Sequence, residues 1–221
     1  MCDGSCNIGQ SRNGIKCIMA FLIDKCRFSE LTEQVLLDSA PFLCGNADLD
    51  DFFRNDATRY AHYLMGKTYC FRLQDDMSQI VCAFTVSNDS IRIYDLPRSR
   101  RDYMKSLTHH EKPLRRYPGV LIGRLGVNIN FAGKGIGSEA IEFIKGWFFS
   151  RDNKTGCRFV IVDAVNEQQV VSFYEKNGFC PLFSSEEQEY IYTGGKKEQQ
   201  VQLDTRLMYY DLLQMRQRDK S

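Results

Sequence analysis

The segment that most restricts this chain is GVLIGRLGVNINFAGKGIGSEAIEFIKGWFF, residues 119–149. Its opening, rich in branched apolar residues, reads as a strong strand, and its end reads as a helix. Between them Gly133, Gly135 and Gly137 permit turns that residues with side chains avoid. A helix starting at about Gly135 leaves its first N–H groups unpaired and pointing outward. With Lys134 beside them they form an anion site suited to a phosphate group. The helix dipole contributes only about 0.3–1 kcal/mol per charge, so such a site positions a pyrophosphate more than it binds one.

Two familiar phosphate loops do not explain this segment. Gly135-x-Gly137-x-x-Ala140 formally matches the dinucleotide fingerprint. Several strands are already spent before it, however, and no run of βαβ units follows, as a doubly wound sheet requires. Gly66-Lys67-Thr68 has the end of a Walker loop, but Ala61 stands where its first glycine is needed. A helix, not a strand, precedes it.

The flanking chain reads as mixed α/β. Residues 1–18 are polar and unpatterned, a flexible extension, and 19–221 read as one domain. MAFLIDKCRF, from Met19, is a strand-like opening. Asn46 then caps a helix with acidic residues in its first turn. Its apolar residues Leu49, Phe52, Phe53, Ala57, Tyr60 and Leu64 recur at helical steps, and Gly66 closes it. TYCFRLQ and QIVCAFTVS around DDMS form a hairpin. Residues 96–118 read as a long loop or short helix between strands. RFVIVDA is a buried strand, EQQVVSFYEKNG a helix closed by Gly178, and TRLMYYDLL a late strand.

Composition excludes more than it selects. The net charge is +1, which nominates no polyanionic partner by itself. No apolar run approaches the roughly 18 residues of a spanning helix, and the N-terminus lacks the pattern of a secretory signal. A soluble, cytoplasmic protein without a membrane partner is expected. The nine cysteines are odd in number and scattered, which argues against a disulfide framework. Cys70 and Cys82 lie in strand-like runs and are expected in the core. Cys2 and Cys6 have no second pair at zinc-finger spacing, and His62, His109 and His110 offer no ligand set, so no metal is expected.

VLIGRLGVNINFAGKGIGSEAIEFI resembles the acetyl-CoA-binding motif of the GNAT superfamily of N-acyltransferases, a strand followed by Q/R-x-x-G-x-G/A at a helix start. DAVNEQQVVSFYEKNGF resembles the next strand and helix of that superfamily, ending in its FYEKxGF signature. The two occur in the right order. One departure is visible: Ala132 occupies the usual Gln/Arg position, which removes a side-chain contact and leaves the backbone amides of 133–138.

The resemblance implies an α/β GNAT fold, with a mixed, mostly antiparallel sheet, a central splay between two strands, and helices on both faces. It implies acetyl-CoA as co-substrate, with pantetheine along Leu125, Gly126 and Val127. The pyrophosphate would rest on Gly133, Lys134, Gly135, Ile136, Gly137 and Ser138. Asn166 matches a pantetheine-contacting residue, though it also reads as the N-cap of the following helix. Tyr174 matches the tyrosine that protonates the departing CoA thiolate, while Phe173 and Gly178 read as structural. The reaction implied is direct attack of an amine on the thioester, with backbone donors of the central strand polarising the carbonyl. A non-catalytic acyl-CoA sensor is the alternative.

The acceptor is less defined. At pH 7 an α-amine with pKa about 7.8 is roughly one-tenth neutral, whereas a lysine is neutral about once in several thousand. Lysine acetylation therefore calls for a placed base. Arg124 and Asn128, the polar residues of the central strand, cannot act as one; Asp163 and Glu167 are candidates that also read as solvated residues. This tilts the expectation towards an α-amine or small amine.

Residues 98–116 carry Arg98, Arg100, Arg101, Lys105, Lys112, Arg115 and Arg116 against Asp102 and Glu111, a net +5. Such a run is either a solvated loop or a phosphate-contacting edge for RNA, with Tyr103 available to stack. The order of elements is loosely similar to bacterial GNAT toxins, which acetylate aminoacyl-tRNA. That similarity implies tRNA and a small antitoxin as partners, and leaves a homodimer open.

Overall fold

The computed structural model describes residues 21–106, 114–153, 155–196 and 201–218. The extension read over 1–18, and the Lys112 end of the basic stretch, lie outside the described residues.

Seven strands form one sheet in the order β1-β2-β3-β4-β5-β7-β6. They are β1 (Cys26–Glu30), β2 (Lys67–Leu73), β3 (Ile80–Arg92), β4 (Arg116–Val127), β5 (Phe159–Val165), β6 (Cys180–Pro181) and β7 (Thr205–Asp211). Every neighbouring pair is antiparallel except β4 and β5. The parallel step needs a crossover, and α6 (Ile136–Phe149) supplies it. The expected hairpin is β2 and β3.

One face of the sheet is covered by α6, α7 (Gln168–Lys176) and the short α1 (Phe21–Lys25). Ile136, Ala140, Ile141 and Ile144 of α6 pack there on Val120 and Ile122 of β4 and Val160 and Val162 of β5. The opposite face carries two separate clusters. One joins Phe52, Phe53 and Ala57 to Phe42, Cys70 and Ala83. The other joins Met104 of α5 (Arg98–Ser106) to Tyr117, Ile161, Leu182, Phe183 and Tyr209. α5 realises the short helix allowed within the basic stretch. Cys70 and Cys82 are fully buried, as read from their strands.

Three local readings are corrected. Phe21–Lys25 is a helical turn before β1, held by the Leu22 N–H donating to Glu139 Oε2 of α6 at 2.9 Å. A strand-like pentapeptide is decided here by a partner more than a hundred residues away. The helix after Asn46 forms as α3 (Ala47–Asp51) and α4 (Ala57–His62), joined by a π-helical turn at Phe52–Asp56. The wider turn lets adjacent Phe52 and Phe53 both bury. Leu64 does not join that apolar face: it is 90% exposed, and its φ of 58° shows that it, not Gly66, ends the helix.

The remaining helices are α2 (Glu33–Leu37), α8 (Glu186–Tyr192) and α9 (Leu213–Arg218). No helix among the described residues is long and apolar enough to cross a membrane.

Candidate active site in a strand splay

β4 and β5 are paired only from Gly119–Ile122 to Phe159–Val162. Beyond that they part: β4 stays on β3 as far as Val127, and β5 stays on β7 as far as Val165. The cause is visible in the β3–β4 register, where Thr85 faces Arg124 but Val86 faces Ile122. Gly123 is therefore the extra residue of a bulge. A bulge bends its strand and increases its twist, and this one lies where pairing with β5 stops. The β4 edge is left open from Gly123 to Val127, and an open edge accepts an extended chain as an added strand. Leu125, Gly126 and Val127 all lie on this edge. The sequence shows the glycine but not the bulge.

The strand runs into the glycine loop. Gly133 and Gly135 have φ of 73° and 81°, and Gly135 is the N-cap of α6 without any side-chain cap. None of the N–H groups of 133–138 donates to an acceptor among the described residues. The buried Ile136 anchors this end of the helix while Gly133, Lys134 and Gly135 stay exposed. Lys134 Nζ rests on the Asn130 carbonyl at 3.1 Å and over the Phe131 ring at 5.4 Å. Gly137 and Ser138 complete the first turn. The arrangement is a row of open donors with a positive charge beside it, next to an opened strand edge.

Tyr174 lies on α7, against the apolar cluster that also takes Leu125 and Val127 from the splayed part of β4. Its ring is edge-on to Phe173 and Phe179, with centroids 5.2 and 5.4 Å away. Its hydroxyl has no hydrogen-bond partner among the described residues, and dehydration pushes its pKa up to about 12. At neutral pH it is a fully protonated phenol.

Asn166 is not the cap of α7, a position held by Glu167. Its amide instead donates to Glu186 Oε1 at 3.1 Å and to the Leu203 carbonyl at 2.9 Å. This ties the end of β5 to α8 and the segment before β7. Arg124 of β4 and Asn128 just beyond it are also occupied. Arg124 lies 3.7 Å from the Phe52 ring centroid, and Asn128 Nδ2 donates to the Ile80 carbonyl at 3.0 Å.

On the other face a cleft of about 430 Å³ crosses β3, β4, β5 and β7 under α8. Asp89, Arg92, Arg116, Asp163 and Glu189 supply its charges, and Ile91, Ile161 and Leu207 its apolar floor. Burial, with Asp89 and Glu189 nearby, raises the Asp163 carboxyl above its usual range. Residues 184–204 carried no reading from sequence, so this wall of the cleft was not foreseen. The basic residues share this face. α5 docks through Met104, exposes Arg98 and Lys105, and leaves Arg100 and Arg101 half-buried. Arg98 is paired with Asp102 at 3.8 Å, and Arg115 and Arg116 stand exposed at the entry to β4. Among the described residues no group of three or more His, Cys, Asp or Glu side chains is disposed to hold a metal ion.

The comparisons with known proteins agree with this geometry. Residues 99–179 match the model of the acetyltransferase (GNAT) family. A variant of KacT is similar in structure at a TM-score of 0.63 and 16% identity, over 88% of this chain and 99% of that one. AtaT complexed with acetyl-methionyl-tRNAfMet gives 0.62 and 18%, over 88% and 99%. AtaTR bound with AcCoA gives 0.63 and 17%, over 89% and 99%. At these identities the structures speak for the fold alone, and the family match covers the loop, the splay and the tyrosine helix. Residues 99–179 thus match the acetyltransferase (GNAT) family, and the chain as a whole shares the fold of these structures.

Proposed function

We propose that this protein transfers the acetyl group of acetyl-CoA to the α-amine of an aminoacyl-tRNA, within the gap between β4 and β5. The observation that carries the reading is the parting of these strands after Ile122 and Val162, beside the open amides of 133–138. The pantetheine arm would pair along Leu125, Gly126 and Val127 like an added strand, with the diphosphate on residues 133–138.

The chemistry follows from the groups at hand. A neutral amine attacks the thioester carbonyl, whose developing charge is stabilised by backbone N–H groups of β4. Collapse expels the CoA thiolate, and Tyr174 is the proton donor on that side of the sheet. With the phenol near 12 and a thiol near 8.5, outright transfer is uphill by about 5 kcal/mol. Tyr174 thus acts as a hydrogen-bond donor to the developing thiolate, and the proton that completes the CoA thiol is supplied by solvent on that side.

The choice of acceptor is supported by charge. Arg98, Arg100, Arg101, Lys105, Arg115 and Arg116 lie on the cleft face, where a phosphate backbone would meet them. AtaT, similar in fold, was solved with acetyl-methionyl-tRNAfMet. AtaT was also solved bound to the C-terminus of the antitoxin AtaR, and an antitoxin-like partner belongs to the same reading, as does a homodimer.

The test is radiolabelled acetyl-CoA with bulk aminoacyl-tRNA and, separately, a panel of small amines. Label on the aminoacyl nitrogen of the RNA is expected. Label on small amines alone would reject the RNA acceptor. CoA affinity without thiol release from any acceptor would reject catalysis.

A further inference from the structure

Tyr174 and the glycine loop act on the cofactor side, and nothing in the mechanism above accepts the proton that an ammonium must lose before it attacks. The cleft face supplies a group in the right position. Asp163 is the first residue of β5 beyond its last pairing with β4, since Val162 still faces Ile122. Opposite it β4 presents the bulge at Gly123, where a Cβ would meet nothing within 4 Å. Strand alternation points Val162 into the α6 cluster and Asp163 to the other face, where it lines the 430 Å³ cleft. Asp163 thus lies on the face of the sheet opposite to the one against which Tyr174 packs.

We propose that Asp163 is the catalytic base of the acceptor side, binding the substrate ammonium in the cleft and taking its proton before attack. The inference rests on the acetyl-transfer reading above. Each step balances. The ammonium gives one proton to the Asp163 carboxylate, and the freed nitrogen pair forms the C–N bond. As the C–S bond breaks, the nitrogen loses its second proton to solvent and the thiolate takes one from the Tyr174 side. The products are the amide and the CoA thiol.

The other carboxylates are less suited. Glu189 is held by Arg206 at 2.8 Å and by the Leu207 N–H. Asp89 accepts from the Ser90 N–H at 2.6 Å, and it faces Gly119, inside the zipped part of β4. Glu167 is the exposed N-cap of α7, outside the cleft. Asp163 has no hydrogen bond or ion pair among the described residues. Its raised pKa, caused by burial and by Asp89 and Glu189, makes it a better proton acceptor near neutral pH than an ordinary carboxylate. The cations facing the cleft are Arg92 and Arg116; Arg92 is paired with Asp95 at 3.4 Å and Arg116 donates to Ser90 Oγ at 3.4 Å. Asp204 and the Tyr192 hydroxyl complete the titratable lining.

The test compares wild type with the isosteric Asp163→Asn, with Asp163→Glu as a rescue. Thiol release from acetyl-CoA is followed with phenylalanine methyl ester, and with trifluoroethylamine, which is already neutral at pH 7. Loss of up to about tenfold in kcat/KM on the ester near pH 7, little loss on trifluoroethylamine, and partial rescue by Glu are expected. Equal loss on both amines, or none, would overturn the role of Asp163 while leaving acetyl transfer intact. If wild type releases no thiol with either amine, the reading above fails for free amines. Calorimetry of the ester binding to the CoA complex then decides: affinity weakened about tenfold in Asp163→Asn keeps the ammonium site, and unchanged or undetectable binding overturns it.

Discussion

Gly137, in the first turn of α6, lies so close to Phe173 of α7 that a Cβ at this position would stand 3.3 Å from two of the ring carbons. The helix that presents the open amides and the helix that carries Tyr174 therefore meet at one contact. A methyl group added there must push Phe173 and, through it, its neighbour Tyr174. Gly137→Ala is expected to cost about 1–2 kcal/mol of stability, read by denaturant unfolding. It should lower turnover more than its retained N–H would suggest. Phe173→Leu frees the space, so the double variant should be more stable than the sum of the single effects predicts.

Tyr174→Phe removes only the hydroxyl and leaves the ring contacts with Phe173 and Phe179. Turnover is expected to fall by roughly 100-fold or more, with CoA affinity nearly unchanged. The pH dependence has a definite sign. A phenol raised to about 12 keeps its proton throughout the neutral and mildly alkaline range, so Tyr174 should impose no alkaline loss of activity below about pH 10. The folded pKa lies above the unfolded value near 10. The contribution of Tyr174 to stability is therefore complete below pH 10 and is lost as pH rises towards 12. An alkaline limb near pH 8 that vanishes in Tyr174→Phe would contradict this.

Gly126 separates packing from cofactor contact. A Cβ there would stand 3.1 Å from Phe53, 3.2 Å from Phe42 and 3.3 Å from Cys44. The glycine brings the open strand close beneath the helical cover of residues 47–62. Gly126→Ala is expected to destabilise by about 1–3 kcal/mol in thermal or denaturant unfolding, with or without CoA. A variant of wild-type stability that has merely lost CoA affinity would show that the close approach is not what the glycine serves.

Those parts of the site that rest on local rules were legible. The strand, the glycine loop and the helix after it follow from residue type and spacing, and Gly178 closes α7 with φ of 79° as read. What was hidden depends on partners distant in sequence. The bulge at Gly123 is a register shift against β3, and nothing local distinguishes Gly123 from Gly126 in GVLIGRLGVN. Asn166 looks like a helix cap, but Glu186 and Leu203 capture its amide. Phe21–Lys25 is short and apolar enough to be either strand or helix, and Glu139 decides it. Asp163 was one of two undifferentiated carboxylates until strand alternation assigned it a face. The GNAT resemblance named the fold correctly because it spans the local motifs, and it said nothing of the cleft under α8.

The basic face makes a prediction of its own. Arg98 is paired with Asp102, and Met104 anchors α5 in the core, so neither is a clean target. Arg100, Arg101, Arg115 and Arg116 are the better set, because neutralising them leaves that pair and that anchor in place. If they meet phosphates, log affinity for tRNA falls linearly with log salt, and each contact contributes slightly less than one unit of slope. Changing all four to Gln should flatten the slope by about three to four units and weaken binding at low salt regardless of RNA sequence. The measurement is filter binding of aminoacyl-tRNA over a salt series, with CoA affinity as the control for folding. A slope identical in wild type and the fourfold variant would mean that the RNA, if bound at all, does not lie on this face, and that the charge of 98–116 is only a solvated surface.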